Sequence, residues 1–309
     1  MDGIILCNKP KGITSNQIVR NISKKFNIKA GNTGILDYAA EGLLIIVIGK
    51  ATRFTSFFQN LDKKYIAVGE LGKETDTCDI NGDIVKEAKV DIEKDMLIEI
   101  IKSFEGHYLM VPPKYSSKKI NGKRAYRYAL KGVEIELKPI NVKINEINII
   151  EINLPFFTIF VNCSSGTYIR SLIRDIGEKS NCFAYMYKLT RVSIGDFSIS
   201  NSIEYEKLIN LSYDEFYRLI IPISKALYFF PAFIIENFQI KNFKNGQKIK
   251  INQSEKIFKE EIIRKNNEGN FILSNLDDKL VKVIDINDNL IGLGILEEGF
   301  QIQPKIVLK

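Results

Sequence analysis

One carboxylate stands out by its setting. Asp37 lies in the stretch "GNTGILDYAAEGLLIIVIGKAT", where a glycine-punctuated loop precedes a continuous apolar run. An aspartate there either caps a turn or serves as the reactive centre of an enzyme. Composition narrows the chemistry around it. His107 is the only histidine, so a Ser-His-Asp triad, a Cys-His dyad or a multi-histidine metal site would have to rest on that one residue. The four cysteines, Cys7, Cys78, Cys163 and Cys182, are scattered and form no CxxC pair, which argues against a zinc ribbon and against a disulfide framework. No phosphate-cradling GxxxxGK[ST] loop and no GxGxxG fingerprint occurs. Whatever chemistry the chain performs falls to carboxylate, tyrosine and basic side chains, and no metal or cofactor is expected.

The elements that would position such groups can be read from periodicity. "GIILCNK" is a strand ending at a Pro/Gly turn. "SNQIVRNISKKFN" is a helix, with Ser15 as its expected cap and Ile18, Val19, Ile22 and Phe26 as its apolar stripe. "GLLIIVIG" reads as a buried central strand, "TRFTSFFQNL" as helical and "KYIAVGEL" as an alternating strand. "DIEKDMLIEIIKSFEG" is a helix with Asp91 as expected cap and Leu97, Ile100, Ile101 and Phe104 on one face. "FTIFVNC" leads through "SSGT" into the helical "YIRSLIRDIGEKSN", and "FAYMYKLTRVSIGDFSI" returns as strand. Strands and helices mix without a βαβ rhythm, which points to an α+β fold.

A length of 309 residues suggests two domains. The texture changes to short strands and turns near Pro231, so residues 1–230 and 231–309 are expected as a larger domain and a small β-rich one. The net charge of +7 hints at a polyanionic partner. The N-terminus carries no signal-peptide pattern and the longest apolar run is too short to span a bilayer. A cytoplasmic protein with no membrane association is expected.

Four pieces stand in order along the chain: "NKPKGITSN", G-x-L-D-x-x-A-x-G at residues 34–42, KxY…LGxxTDTxDxxG at residues 63–82, and "SSGTYIR". In this order and spacing the chain resembles the TruB family, bacterial tRNA pseudouridine synthases that modify the T-loop uridine at position 55. The resemblance runs from Gly3 to about Ile203, and "FKNGQKI" near Phe243 resembles the family's C-terminal RNA-binding PUA module. It implies a pseudouridine synthase fold, a mainly antiparallel mixed sheet flanked by helices, followed by a PUA-like domain. It also implies an isomerase that needs no cofactor, takes the T-stem-loop of tRNA and is expected as a monomer.

The same resemblance distributes roles. Asp37 becomes the catalytic nucleophile or base, Arg170 its ion-pair partner, and Tyr65 the ring that stacks on the flipped uracil. Tyr168 and Leu189 become the pocket wall, and Lys9 a substrate contact. The family usually has histidine where this chain has Asn32, a substrate-binding position, and proline where it has Tyr38. Tyr38 is the expected aromatic compensator. Residues 113–132 carry seven lysines and arginines, no acid and three tyrosines, Tyr115, Tyr126 and Tyr128. Basic side chains track phosphates and rings stack on bases, so Lys118, Lys119, Lys123 and Arg124 are expected against RNA. Two other readings remain open: a non-catalytic RNA-binding or tRNA-folding protein on the same scaffold, and a synthase with a different RNA target.

Overall fold

The computed structural model describes residues 2–116, 118–120, 122–133, 135–250, 279–297 and 301–308. The chain opens with β1 (Gly3–Lys9), α1 (Ser15–Lys25), β2 (Ala30–Asn32) and β3 (Glu41–Ile48). A 3-10 turn over Gly49–Phe54 runs into α2 (Thr55–Asn60) and then β4 (Lys63–Leu71). β5 (Lys73–Thr75) and β6 (Ile84–Glu87) form a hairpin, followed by α3 (Lys94–Lys102) and β7 (Gly106–Met110). The two-residue strands β8 (Lys119–Ile120) and β9 (Lys123–Arg124) pair with each other and lead into the short helix α4 (Ala125–Ala129). A long hairpin, β10 (Ile140–Asn153) and β11 (Phe156–Cys163), precedes α5 (Ile169–Lys179) and β12 (Ala184–Ile194).

These strands build one large sheet. Its order runs from the short strand Ile203–Glu204 through β1, β3, β12, β4, β11 and β10 to β7, with β2 on the side of β3. Most pairs are antiparallel, while β3 runs parallel to β12. The α+β expectation and the mixed, mainly antiparallel sheet are what the structure shows. The placement of β12 matters most, since it lies between β3 and β4 and brings three distant segments side by side.

Burial explains the sequence patterns. Leu43, Ile45 and Val47 of β3 enter one core, while Leu44, Ile46 and Ile48 enter another with Ile18 and Ile22 of α1. A strand covered on both faces has no polar side to show, hence its unbroken apolar run. β4 alternates because alternate residues, Tyr65 and Ala67 among them, face a third core roofed by Leu172, Ile173 and Ile176 of α5. Two cap expectations are corrected. The hydroxyl of Thr14, not Ser15, accepts from the Gln17 amide at the start of α1. α3 begins at Lys94, and Asp91 instead pairs with Lys89 at 3.2 Å.

A second sheet of five strands closes the chain: Ala232–Ile234, Leu280–Ile284, Leu290–Glu297, Gln301–Val307 and Ile249–Lys250. One face covers Phe233, Phe243 and Ile249, so the "FKNGQKI" stretch supplies a core phenylalanine and a buried isoleucine around a turn at Gly246. The other face packs Leu280, Leu290 and Leu293 into the same core as Phe54, Phe58 and Leu43. The two sheets therefore share apolar surface. Residues 1–230 produced alone would expose that surface to water and should unfold at a clearly lower urea concentration than the full chain. Coincident urea midpoints for the two chains would contradict this packing argument.

Candidate active site

The loop that carries Asp37 is tied down from several sides. The Ser15 hydroxyl, fully buried, accepts from the Leu36 amide at 2.9 Å and donates to the Leu36 carbonyl at 3.1 Å. The Lys9 ammonium donates to the carbonyls of Ala40 and Pro10. Gly12 N–H donates to the Tyr38 carbonyl and Ala40 N–H to that of Asp37. Arg191 reaches the carbonyls of Leu43 at 2.8 Å and Gly34 at 3.1 Å. A loop with its carbonyls so occupied holds its side chain in one place.

Arg170 comes from the other side of the cleft. β11 ends at Cys163, and the turn through Gly166, at φ 85°, delivers the chain into α5 with Arg170 in its first turn. The guanidinium is buried, and its donors are all committed. Nε meets Asp37 Oδ2 at 2.9 Å and Nη2 meets Oδ1 at 3.2 Å, a two-point pairing with the carboxylate. Nη1 donates to the Thr77 carbonyl at 3.0 Å and stands 3.7 Å from Asp79 Oδ2, while Nη2 also donates to the Tyr115 carbonyl at 3.0 Å. Asp79 is itself held by the Thr77 hydroxyl and the Asn81 amide. The glycine of the same motif, Gly82, packs so closely that a Cβ would stand 2.4 Å from both the Asp76 carboxylate and the Thr77 hydroxyl. TDTCDINGD is thus a folded cup for one guanidinium.

Asp37, Tyr65, Tyr168, Arg170 and Leu189 line a single cleft. The Asp37 side chain retains 36% of its surface while Arg170 retains 7%, so the carboxylate is the reachable member of the pair. Enclosure raises the Asp37 pKa above the ordinary 3.8, the Arg170 charge opposes that rise, and Asp79 adds to it. Burial pushes the Tyr65 phenol up to about 12 and raises that of Tyr168, so both rings are neutral hydrogen-bonding groups near pH 7.

Other expected positions fall outside the cleft. Lys9 is corrected: its side chain is fully buried and bonded to backbone carbonyls, so it shapes the Asp37 loop and offers nothing to a ligand. Burial also brings its pKa down to about 8. The Asn32 amide bridges Asn16 and the Gly34 N–H. Tyr38 is 56% exposed at the rim, near Gly12. Residues 113–132 do not form one helix: Lys123 and Arg124 are exposed on β9, and Lys118 bonds the Lys138 carbonyl. Lys119 lies on β8 opposite Arg124; its side chain is outside the described residues. Tyr115, expected as an RNA stacker, lines the cleft instead, and its phenol donates to Asp76 at 3.3 Å. Asp79, Ser15 and Arg191 were not singled out in the sequence. The repeated acids of TDTCD were the available signal for Asp79.

With this geometry in place, similarity to known proteins is decisive. Residues 20–169 match the N-terminal domain of the TruB family pseudouridylate synthases. A protein of Clostridium kluyveri named tRNA pseudouridine synthase B is 39% identical over 98% of both chains. The chain belongs to the TruB family. A further TruB family member from Aquifex aeolicus, also named tRNA pseudouridine synthase B, is 35% identical over the full length of both. Among solved structures, a Cbf5-Nop10-Gar1 complex contains a chain that superposes with a TM-score of 0.72 at 24% identity, covering 99% of this chain and 84% of that one. This last likeness establishes the shared fold.

The ion pair sets a pH dependence. The ionised Asp37 is the form able to act as nucleophile or base, so activity falls as pH drops through its pKa. Because that pKa is raised, the acid limb of kcat/KM should lie above 3.8. In Arg170→Gln the cation that lowers it is gone, and the limb should move further up. A pH–rate profile from pH 4 to 8 with pre-folded RNA checks this; an acid limb that stays in place in Arg170→Gln contradicts the assignment.

Proposed function

We propose that this protein isomerises uridine to pseudouridine in tRNA, at the T-loop uridine of position 55, with Asp37 as the catalytic carboxylate. The observation that carries the reading is the reachable Asp37 held in two-point contact by buried Arg170, in a cleft walled by Tyr65, Tyr168 and Leu189. The reaction breaks the bond between sugar C1′ and uracil N1, turns the base and joins C1′ to C5. The C5 hydrogen leaves and N1 gains one, so no electrons are exchanged with an outside group. A carboxylate suits such a centre, as glycosidases illustrate. Arg170 keeps Asp37 oriented and favours its charged form. Tyr65 lies where a flipped base would stack, and Tyr168 and Leu189 limit its tilt.

A binding-only role explains less. Burying a guanidinium between two carboxylates costs desolvation that an RNA-docking surface has no use for. The exposed Lys123 and Arg124 and the C-terminal sheet supply the RNA surface in this reading. Residues 1–230 then carry the chemistry, and residues 231–309 form a PUA-like module that holds the tRNA away from the reacting base. A monomeric protein of the cytosol fits that task. Among the described residues no helix is long and apolar enough to cross a membrane.

Asp37→Asn should abolish pseudouridine formation on a tRNA transcript containing uridine 55 while tRNA affinity stays within a few fold, read by pseudouridine mapping and filter binding. More than a few per cent of wild-type activity in that variant would sink the mechanism. The double variant Lys123→Ala/Arg124→Ala should weaken tRNA binding and lower the slope of log affinity against log salt by about 1 to 2. An unchanged slope would remove β9 from the RNA surface.

A further inference from the structure

We infer that Arg191 is a positioning residue for this reaction: its guanidinium donates a hydrogen bond to the Tyr65 phenol oxygen and so turns that phenol's own hydrogen toward the cleft lined by Asp37. The inference deepens the proposed function and rests on it for the meaning of the cleft, while the contact itself rests on sheet register. Arg191 on β12 is the cross-strand partner of Tyr65 on β4 and of Gly42 on β3. Directly paired residues project from the same face of a sheet, so the two side chains meet beneath the cleft. The approach of β3 depends on glycine. A Cβ on Gly42 would stand 2.4 Å from the Arg191 carbonyl oxygen.

The direction of the bond follows from the chemistry of the two groups. Arginine has donors and no acceptor, so the phenol oxygen must accept from it. Arg191 is 2% exposed, and its Nε and Nη2 hold the Leu43 and Gly34 carbonyls. It hydrogen-bonds Tyr65 as well. One buried cation thus ties the ring to the loop that carries Asp37. The charged and titratable groups facing Tyr65 are Arg191 from β12, Cys163 from β11 and Asp37 from its loop. Cys163 is no competing acceptor for the phenol hydrogen. Burial pushes its thiol up to about 12, and its Sγ donates to the Lys63 carbonyl. The cleft side is what remains for the Tyr65 hydrogen. There the hydroxyl can give a hydrogen bond to the flipped base or to Asp37.

The test separates this contact from general support of the fold. Tyr65 is replaced by 3,5-difluorotyrosine, whose phenol titrates in an accessible range, and its ionisation is followed by fluorine NMR with and without Arg191→Gln. Loss of a neighbouring cation should raise the midpoint by about one pH unit or more. A shift within about 0.2 unit, well below the effect of a cation in contact, would overturn the inference. In single-turnover pseudouridine formation, Arg191→Gln should slow the wild-type rate at least tenfold but the Tyr65→Phe rate much less, since no hydroxyl remains to orient. Equal fold-losses in both backgrounds would also overturn it. If Arg191→Gln does not fold, Arg191→Lys serves, since a lysine cannot reach both carbonyls and the phenol together. Its midpoint should still rise, and an unchanged one counts against the inference. Absence of any pseudouridine from the wild-type protein would defeat the proposed function, while the titration would still read the Arg191–Tyr65 contact.

Discussion

The site depends on one buried guanidinium. Arg170 spends its N–H groups on Asp37, on the carbonyls of Thr77 and Tyr115, and on the approach of Asp79. A desolvated cation is tolerated only when it is paired and fully hydrogen-bonded. That requirement pulls three separate stretches toward α5: the Asp37 loop, the TDTCDINGD cup and the segment entering the basic residues after Pro113. Because the Tyr115 carbonyl shares Nη2 with Asp37, the segment that leads into the exposed Lys123 and Arg124 is anchored to the catalytic pair itself. Contact with RNA on that segment and the chemistry of Asp37 therefore meet at a single side chain.

The sheet supplies the second constraint. β12 is parallel to β3 and antiparallel to β4, so residues more than a hundred apart in sequence stand at fixed register. Leu189 and Arg191 are two residues apart and share a face, one forming cleft wall and the other lying beneath it. Buried lysine and serine side chains complete the arrangement. Lys9 and Ser15, from the "NKPKGITSN" piece, bond the backbone on either side of Asp37. This piece is matched in the family for a structural reason: a loop that presents a reactive carboxylate needs its own carbonyls and amides satisfied from outside.

Much of this was legible in the sequence. Periodicity gave the strands and helices of the first two hundred residues, because each buries a regular face and the pattern of that face is local. The absence of a second histidine narrowed the chemistry by residue type alone. Asp37, Tyr65, Tyr168, Arg170 and Leu189 were all named in advance through ordered motifs, and the structure brings them to one cleft. What periodicity could not do was choose between Thr14 and Ser15 as a cap. Either hydroxyl fits the local pattern, and only the arrival of Leu36 from another element takes Ser15 for a different bond.

The remaining distinctions belong to tertiary structure. Lys9 reads as a solvent-facing cation in a Pro/Gly turn, yet it is fully buried, because the carbonyl that captures it comes from a loop thirty residues on. Tyr115 reads as one ring of a basic surface, yet it lines the cleft, because Arg170 holds its carbonyl. Arg191 reads as one more charge on a strand, and its importance appears only when β12 is set between β3 and β4. The sequence alone determined which residue types and local elements are present. Which carbonyl meets which cation, and hence which charged groups support the site and which remain free to meet a substrate, was decided by long-range register, which no local pattern encodes.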